Sequence, residues 1–442
     1  MGKRACIETF GCQMNSHDSE RVAGLLEQAG YELTSDHGDA DLVVINTCSV
    51  RERAQDKLFS RLDNLGVATG AGRPVVAVIG CVAQQEGDKI FTRAPDVDVV
   101  VGTQALKRLP LLVEKAERTA QHQIDINPYE DVSFPLGIAI RNDPVKAYIT
   151  IIEGCNDYCA FCVVPYTRGH ERMRSAAEIV EETRRAAAQG HREIHLLGQI
   201  VNHYQDPSEA GCDFAELLER VNNVEGIERI RFASPHPRHV TARMLTAMAN
   251  LPKVCRHLHL PVQSGSSAIL ESMRRRHSRQ EYLDLVGRVR ASVPNIALST
   301  DMIIGFPGET EREFEETLSL TSTVKYHSMF SFKYSERPNT LAANRLPETV
   351  TEEDKTRRLM SLQALQKSIQ SGLHASQLGQ EVEVLVDSRS RKRPEEFSGR
   401  TSGNTVVNFP GQPEWIGRLV PIRIERTGPN SLWGTLGTSH AS

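Results

Sequence analysis

The first third of the chain alternates short apolar runs with stretches in which apolar residues recur at helical spacing. The apolar runs predict buried strands at residues 5–10, 41–46, 74–79 and 97–101. Apolar residues three and four positions apart predict helices at residues 18–29, 52–65 and 104–117. Val- and Ile-rich strands that alternate with helices are typical of a parallel sheet covered on both faces. We therefore predict an N-terminal parallel α/β sheet domain over residues 1–120.

The middle of the chain repeats a strand–helix unit. Strand-like runs occupy residues 147–152, 193–197, 229–232, 257–260, 297–304 and 328–332. Helical stretches follow at residues 175–189, 214–221, 242–249, 279–292 and 311–324. This repetition predicts an open, partial (β/α) barrel over residues 141–373, with an amphipathic helix near 352–370 closing its core. Enzymes built on such barrels place their chemistry in the loops that follow the strands.

From about residue 377 the pattern changes to short alternating strands separated by Gly and Pro turns. The strands are predicted at residues 381–387, 398–401, 405–409, 416–426 and 432–436. Together they predict a small antiparallel β-barrel over residues 376–440. The predicted fold class is α/β, with two α/β units followed by an all-β unit.

Composition narrows the classes of function. The 442 residues carry a formal net charge of −4, which disfavours a protein that binds nucleic acid through overall charge, although a local basic face remains compatible with it. The opening residues lack an apolar signal core, and no run approaches the roughly eighteen apolar residues of a membrane span. We therefore expect no membrane association and a cytoplasmic location, where grouped cysteines are typical of metal or redox sites.

Three cysteines, Cys155, Cys159 and Cys162, follow the first predicted barrel strand at C-x3-C-x2-C spacing. Thiolates hold iron–sulfur clusters, and a cubane normally takes four of them. Three ligands leave one iron open to bind a substrate or cofactor. A structural zinc site is the alternative, but it is closed by four ligands, usually in two separated pairs, and no second pair follows. The spacing favours a 4Fe–4S cluster, with these three cysteines as ligands and as catalytic residues.

A second set of cysteines, Cys12, Cys48 and Cys81, is dispersed along the N-terminal third. Each lies just past the carboxyl end of a predicted strand, where open α/β sheets bind their ligands. Small buried thiols are the alternative, because cysteine is often interior. Three equivalent strand-end positions favour a common site, and we interpret these cysteines as ligands of a second 4Fe–4S cluster.

Basic and aromatic residues occur together in the predicted C-terminal barrel. The basic loop consists of Arg389, Arg391, Lys392 and Arg393, and the aromatic residues are Phe397, Phe409, Trp415 and Trp433. Cationic loops with stacking surfaces suit single-stranded RNA. The alternative is a solvated loop beside aromatic residues that belong to the barrel core.

The segment that holds Cys155, Cys159 and Cys162, with Phe161 before the last cysteine, resembles the radical S-adenosylmethionine superfamily. The resemblance implies that the open iron chelates S-adenosylmethionine and that the reduced cluster cleaves it to a 5′-deoxyadenosyl radical. It also implies an electron donor such as a flavodoxin or ferredoxin. The cofactor supplies the radical chemistry, and the protein supplies position and exclusion of water.

Several stretches are similar to the methylthiotransferase family, and the tail resembles its TRAM domain. Those most like the tRNA branch (MiaB type) are TFGCQMN (9–15), NTCSVR (46–51), FCVVPYTRG (161–169), SFKYS (331–335) and RPNT (337–340). The resemblance implies that Cys12, Cys48 and Cys81 bind an auxiliary 4Fe–4S cluster. It further implies transfer of a methylthio group to carbon 2 of N6-isopentenyladenosine beside the tRNA anticodon. S-adenosylmethionine would be both methyl donor and radical source, and a separate sulfur source would be needed.

Three alternatives share these features. Related enzymes methylthiolate threonylcarbamoyladenosine in tRNA or an aspartate of a ribosomal protein, and an iron–sulfur RNA-binding protein without catalysis belongs to another class. Two positions depart from the pattern expected of the tRNA branch. Ile200 stands where Asn is expected, and Arg276-His277-Ser278 replaces a Gly-Tyr-Thr-like stretch.

Overall fold

A six-stranded parallel sheet forms the N-terminal part of the chain in the computed structural model. The structure describes residues 2–49, 52–65, 73–127, 135, 137–390 and 393–437. The strands are β1 (Arg4–Phe10), β2 (Glu32–Thr34), β3 (Leu42–Thr47), β4 (Val75–Gly80), β5 (Val99–Val101) and β6 (Gln123–Asp125), in the order β2-β1-β3-β4-β5-β6. The helices are α1 (Gln13–Gln28), α2 (Glu52–Leu65), α3 (Cys81–Glu86), α4 (Lys89–Arg93) and α5 (Leu109–Thr119).

Helices cover both faces of this sheet, which confirms the predicted layers. The strands β3 and β4 are almost completely buried because their side chains pack into two apolar clusters, one on each face of the sheet. Helices α1 and α5 close one cluster, and α2, α3 and α4 close the other. The edge strands β2 and β6 were not predicted, because their segments ELT and QID contain no continuous apolar run.

The central part of the chain forms the predicted open (β/α) barrel. Its strands are β7 (Lys146–Thr150), β10 (Glu193–Leu197), β11 (Arg229–Phe232), β12 (His257–His259), β13 (Ala297–Ile304) and β14 (Ser328–Lys333), and the short pair β8 (Ile152–Glu153) and β9 (Arg172–Met173) extends it. The helices are α6 (Val164–Arg168), α7 (Ala176–Ala188), α8 (Phe214–Asn222), α9 (Ala242–Asn250), α10 (Ser267–Ser272), α11 (Arg279–Ser292), α12 (Glu311–Val324), α13 (Leu341–Arg345) and α14 (Glu352–Ala375).

The barrel strands run parallel in two groups of three. One group has the order β7-β10-β11 and the other β12-β13-β14, and a parallel bridge between Ile230 and Val254 joins them. The long helix α14 packs on β14 and α12, as predicted for the helix that closes the core. Across the described residues β7 and β14 do not pair, so the barrel stays open on one side.

The tail is a closed five-stranded barrel, as predicted. Its strands are β15 (Glu381–Arg389), β16 (Glu396–Thr401), β17 (Val406–Pro410), β18 (Leu419–Thr427) and β19 (Leu432–Leu436), in the order β15-β16-β17-β19-β18. All its pairings are antiparallel except β17 with β19, which is parallel. None of the helices in the described ranges combines the length and apolar character needed to cross a bilayer.

The C-terminal barrel is docked onto the central barrel through two buried arginines. Arg231, on β11, donates hydrogen bonds to the carbonyl oxygens of Thr401 (2.7 Å) and Ser402 (3.1 Å). Arg229, two residues earlier on the same strand, bonds the carbonyl oxygens of Arg400 and Glu383. The start of the β16–β17 turn is thus held against β11 of the central barrel.

Helix α1 joins the N-terminal sheet to the first barrel strand. His17 lies 2.8 Å from the Thr150 hydroxyl, and Arg21 forms a 2.8 Å ion pair with Glu153. Gly24 faces the backbone so closely that an added Cβ would lie 1.7 Å from the carbonyl oxygen of residue 138. This helix therefore fixes the edge of the N-terminal sheet next to the loop that follows β8.

Candidate active site: two cysteine triads

The register of three neighbouring strands brings the dispersed cysteines to one edge of the N-terminal sheet. Phe10 of β1 pairs with Thr47 of β3, and Thr47 pairs with Gly80 of β4. Cys12, Cys48 and Cys81 follow these three paired residues by two, one and one positions. The convergence predicted from strand ends is therefore what the sheet produces, and we call these three cysteines the N-terminal triad.

A buried amide network shapes the N-terminal triad. Cys12 is the N-cap of α1, and its thiol donates to the side-chain oxygen of Asn15 at 3.2 Å. The side-chain amides of Asn15 and Asn46 bond each other at 3.0 Å, which ties α1 to the end of β3. Gly80 has φ +91°, and a Cβ there would lie 2.3 Å from the Asn46 oxygen. Glycine is therefore required at the end of β4.

The thiols of the N-terminal triad have different acidities. A hydrogen bond with Cys48 is the main cause of the lowered pKa of Cys12, about 6, and Arg168 and backbone N–H groups at the start of α1 act in the same direction. Burial raises the pKa of Cys81, and the nearby Arg168 opposes that rise. A cation and helix-terminal N–H groups are typical surroundings for a thiolate.

Two hydroxyl groups beside Cys48 lack partners within the described part of the chain. The side-chain oxygens of Thr47 and Ser49 are buried and make no hydrogen bond. Buried polar atoms in proteins are nearly always bonded, so these two oxygens are available to a bound group. Three thiols with unsatisfied hydroxyls around them fit the cluster that the sequence predicts.

The second set, Cys155, Cys159 and Cys162, lies in the loop after β8, and we call it the barrel triad. Gly154 has φ +82°, and a Cβ there would lie 2.1 Å from the His170 carbonyl oxygen. The Cys155 amide donates to the Gly169 carbonyl (3.1 Å), and the Cys162 amide donates to that of Cys159 (3.0 Å). These backbone bonds fold the loop that carries the three cysteines back on itself.

Burial acts strongly on two of the three thiols of the barrel triad. Burial raises the pKa of both Cys155 and Cys162 to about 12, and the neighbouring Cys159 adds to both shifts. Metal ligation requires thiolates, so a metal group bound here would have to displace these protons. Among the described residues no group of three His, Cys, Asp or Glu side chains is placed so that it could hold a metal ion.

Unsatisfied polar atoms surround the barrel triad at the strand exits. Arg275 reaches to 3.5 Å from the Cys159 sulfur through one guanidinium nitrogen. In the described ranges, four buried side-chain atoms here lack hydrogen-bond partners: Gln199 Oε1, His236 Nε2, Arg275 Nε and His277 Nε2. Gln199 and His236 lie in loops that follow β10 and β11, where barrels of this kind place their chemistry, whereas Arg275 and His277 lie between α10 and α11. These atoms can donate and accept hydrogen bonds to a polar organic ligand.

Backbone strain also concentrates at these exits. Tyr158 in the cysteine loop, Ser234 after β11, Gln263 after β12 and Arg276 before α11 all have φ between +47° and +79°. Residues other than glycine occupy this left-handed region at a cost, and such residues cluster at functional sites. The strain therefore supports the assignment of this mouth as the reaction site.

The two departures from the family pattern lie at this mouth. Ile200 is buried in the segment after β10. A guanidinium nitrogen of Arg276 lies 3.8 Å from the carboxylate of Asp157. In the sequence, Asp157 stands between Cys155 and Cys159, the first two cysteines of the barrel triad. His257 and His259 of β12 both lie 2.9 Å from the hydroxyl of Ser299 on β13.

Arg168 connects the two triads and was not identified from the sequence. It ends α6, six residues after Cys162, and α6 packs against α3, the helix that begins with Cys81. Its guanidinium is buried, forms a 2.6 Å ion pair with Asp18 and lowers the pKa of Cys81. The sequence signal was its place within the segment 161–169, but nothing local shows that its side chain reaches the other triad.

The C-terminal barrel keeps only part of the surface predicted to bind RNA. Phe397 and Phe409 are buried in its core. Trp433 is half-buried, donates to Glu396 at 2.9 Å, and lies under the guanidinium of Arg426 at 3.8 Å from the ring centre. Of the predicted basic loop, Arg389 is exposed and Arg393 pairs with Glu396, whereas residues 391 and 392 lie outside the described ranges.

Comparisons with known proteins agree with the fold and the motifs. Family models match as Uncharacterized protein family UPF0004 (residues 4–102), Radical SAM superfamily (149–321) and TRAM domain (375–436). The tRNA-2-methylthio-N(6)-dimethylallyladenosine synthase of Solibacter usitatus is 44% identical over 98% of each chain. The synthase of that name from Geobacter metallireducens is 45% identical over 97% of each chain. The radical S-adenosylmethionine methyltransferase TsrM from Kitasatospora setae shares the fold, with TM-score 0.56, 14% identity and coverage of 77% of this chain and 74% of that one.

A thiol triplet after the first strand of an open (β/α) barrel, ringed by unsatisfied polar groups, defines a radical S-adenosylmethionine enzyme. The chain belongs to the tRNA-2-methylthio-N(6)-dimethylallyladenosine synthase family. The predicted resemblance is thereby confirmed, and the non-catalytic alternative is set aside. Enzymes of this class use S-adenosylmethionine and 4Fe–4S clusters.

Proposed function

We propose that this enzyme adds a methylthio group to carbon 2 of N6-isopentenyladenosine beside the anticodon of a tRNA. The proposal is carried by one observation: the two thiol triads are joined through α6 while lying on separate sheets. Cys155, Cys159 and Cys162 would hold a 4Fe–4S cluster with an open iron for S-adenosylmethionine, and Cys12, Cys48 and Cys81 would hold the auxiliary cluster. Together these groups supply a radical able to open an unactivated C–H bond and the sulfur that replaces the hydrogen.

The residues of the barrel mouth have the tasks of binding, orienting and excluding water. Arg275 Nε and His236 Nε2 offer buried N–H groups, because His236 Nδ1 accepts from the Arg238 amide. Gln199 Oε1 and His277 Nε2 offer acceptors, because the other nitrogen of the His277 ring donates to the Arg275 carbonyl. These atoms could hold the amino acid and ribose groups of S-adenosylmethionine, which are polar and need fixed partners. Holding the reacting atoms in one geometry is the main contribution that a protein makes to cofactor chemistry.

The N-terminal sheet (residues 1–120), the barrel core (141–373) and the C-terminal barrel (376–440) would act as three domains with separate tasks. The C-terminal barrel would bind tRNA and present the anticodon loop, since loop bases can be splayed for recognition. Turnover requires an electron donor such as a flavodoxin or ferredoxin and a sulfur source. We place the enzyme in the cytoplasm because tRNA is modified there and exposed thiols remain reduced.

The test compares the iron content and the reaction products that are lost when each triad is disrupted. Anaerobic reconstitution should give about eight irons per chain, the content of two cubanes, and about four in a C12A/C48A/C81A variant. Cys159→Ala should abolish 5′-deoxyadenosine formation. Cys48→Ala should leave 5′-deoxyadenosine formation intact while no methylthio group reaches the nucleoside. Both products are measured by mass spectrometry in one reaction.

Cys212→Ala is the matched control, because Cys212 is a buried thiol outside both triads. It should keep the full iron content and both products. The proposal is wrong if the Cys48 variant still methylthiolates tRNA at normal yield, or if the Cys159 variant still makes 5′-deoxyadenosine. A product on threonylcarbamoyladenosine or on a ribosomal-protein aspartate, with none on isopentenyladenosine, would move the enzyme to a related branch.

A further inference from the structure

The segment that ends at Arg168 belongs to the barrel but is held by the N-terminal sheet. The carbonyl oxygens of Thr167 and Arg168 accept hydrogen bonds from the side chains of Thr103 and Gln104, and the Gln104 bond measures 2.9 Å. The next residue, Gly169, accepts the Cys155 amide at 3.1 Å. One short stretch of backbone therefore contacts both the barrel triad and the N-terminal sheet.

The Arg168 side chain is directed at the N-terminal triad. It is 6% exposed and donates to the carboxylate of Asp18, which is 2% exposed, at 2.6 Å. Asp18 lies on α1, six residues after Cys12. The charge of the guanidinium also acts electrostatically on Cys81 and Cys12. The cation thus has a carboxylate and thiols as its neighbours.

A buried ion pair is a weak source of stability, because desolvation offsets most of the attraction and apolar residues of similar size often do as well. Stability alone therefore does not explain a cation at this position. Three thiolates in a desolvated pocket carry concentrated negative charge, and a fixed cation beside them lowers the energy of every added electron. The auxiliary cluster of the proposed function would have such a charge, so the inference rests on that proposal.

We propose that Arg168 is a positioning residue for the auxiliary cluster: its buried cation, oriented by Asp18, stabilises the reduced state of the group held by Cys12, Cys48 and Cys81 and so raises its reduction potential. Because Arg168 closely follows Cys162, the segment that carries the barrel triad also sets the electrostatics of the other site. Loss of the cation should leave an auxiliary cluster that is harder to reduce.

The experiment isolates the auxiliary cluster in the full-length chain. A C155A/C159A/C162A background removes the other cluster, and the remaining one is titrated with dithionite while its reduced signal is followed by electron paramagnetic resonance. Arg168→Gln, Arg168→Lys and the double variant D18N/R168Q are compared in this background. The double variant leaves no unpaired carboxylate, so it separates loss of the cation from damage to folding.

We expect the midpoint potential to become more negative in Arg168→Gln and D18N/R168Q, with Arg168→Lys intermediate because it keeps the charge. Arg141→Gln is the matched control: it removes another buried arginine, which pairs with Glu182 at 2.8 Å, and it should leave the potential unchanged. An unchanged potential in D18N/R168Q, or an equal shift in Arg141→Gln, overturns the inference. Failure of the background protein to hold about four irons would instead refute the auxiliary cluster itself.

Discussion

The contact between the C-terminal barrel and the central barrel depends on Arg231, and Arg231→Met should weaken it measurably. The side chain of Arg231 is 5% exposed and bonds the Glu193 carboxylate at 2.9 Å and the carbonyl oxygens of Thr401 and Ser402. Glu193 is 1% exposed and has one further partner, His195, at 2.6 Å. Methionine fills a similar volume but provides none of the three bonds.

The expected loss in the free energy of unfolding comes mainly from the Glu193 carboxylate, which Arg231→Met leaves without its arginine partner. Removing one partner of a buried ion pair costs about 3–5 kcal/mol, and the remaining bond from His195 places this case near the lower end, about 3 kcal/mol. The surface pair of Arg220 with Glu209, 31% and 54% exposed, offers a matched control. Arg220→Met should cost only about 0.2–1 kcal/mol, because solvent screens that pair.

The assay measures the tryptophan fluorescence of the C-terminal barrel. Both tryptophans of the chain, Trp415 and Trp433, lie in the C-terminal barrel, so tryptophan emission during urea unfolding reports on that barrel. The emission midpoint of Arg231→Met should fall well below those of the parent and of Arg220→Met. An R231M/E193Q double variant should recover part of the loss, because no charge is left unpaired. Coincident midpoints for parent and Arg231→Met would refute the reasoning.

Lowering the pH should weaken the contact that Arg231 and Glu193 stabilise. Burial raises the pKa of Glu193, but Arg231 and His195 outweigh it and hold that pKa below its ordinary 4.5. The ion pair therefore contributes fully above about pH 4.5, and its contribution is lost as pH falls toward the lower folded-state value. The difference between parent and Arg231→Met should persist at pH 7 and shrink in acid.

Three further outcomes are expected. Gly24→Ala should destabilise the contact of the N-terminal sheet with the barrel by about 1–3 kcal/mol or more in a thermal-shift assay, since the new Cβ would lie 1.7 Å from a carbonyl oxygen. Gly287→Ala, at an exposed helix position with nothing within 4 Å, should be neutral or slightly stabilising in the same assay. In protein without clusters, the alkylation rate of Cys12 should level off above about pH 7, as a pKa of about 6 requires; a rate still rising to pH 9 would contradict it. Arg426→Gln, at an exposed position, should weaken tRNA binding and flatten the slope of log affinity against log salt by about 0.7–0.9; an unchanged slope would place RNA elsewhere.

The arrangement of the tail changes how its role in RNA binding is best tested. Deleting residues 377–442 would uncover Arg229 and Arg231 and leave them without the carbonyl oxygens that they bond. Loss of activity after such a deletion would combine a folding defect with a binding defect. Single substitutions on the exposed surface of the barrel avoid this ambiguity, because surface changes usually alter stability by less than about 0.5 kcal/mol.

The sequence by itself determined the order and class of the elements, and it predicted which cysteines belong to each of the two proposed cluster sites. Hydrophobic periodicity is a local property, so the long strands and helices were predicted within a few residues of their observed bounds. The barrel triad is contiguous, and the N-terminal triad follows from strand ends, which parallel pairing aligns on one edge. Helix α1 begins at Gln13, five residues before its predicted start, because its first turn is polar and the cap is Cys12.

Only the tertiary structure decided which polar groups meet. Asp18 and Arg168 are 150 residues apart, and Arg231 and Thr401 are 170 apart, so no spacing in the sequence relates them. Ion pairs and carbonyl contacts of this kind depend on how separate units dock, and docking is set by the shapes of whole surfaces. The unpaired polar atoms around Arg275 could not be predicted from the sequence for the same reason. An atom can be recognised as lacking a hydrogen-bond partner only when the positions of all its neighbours are known.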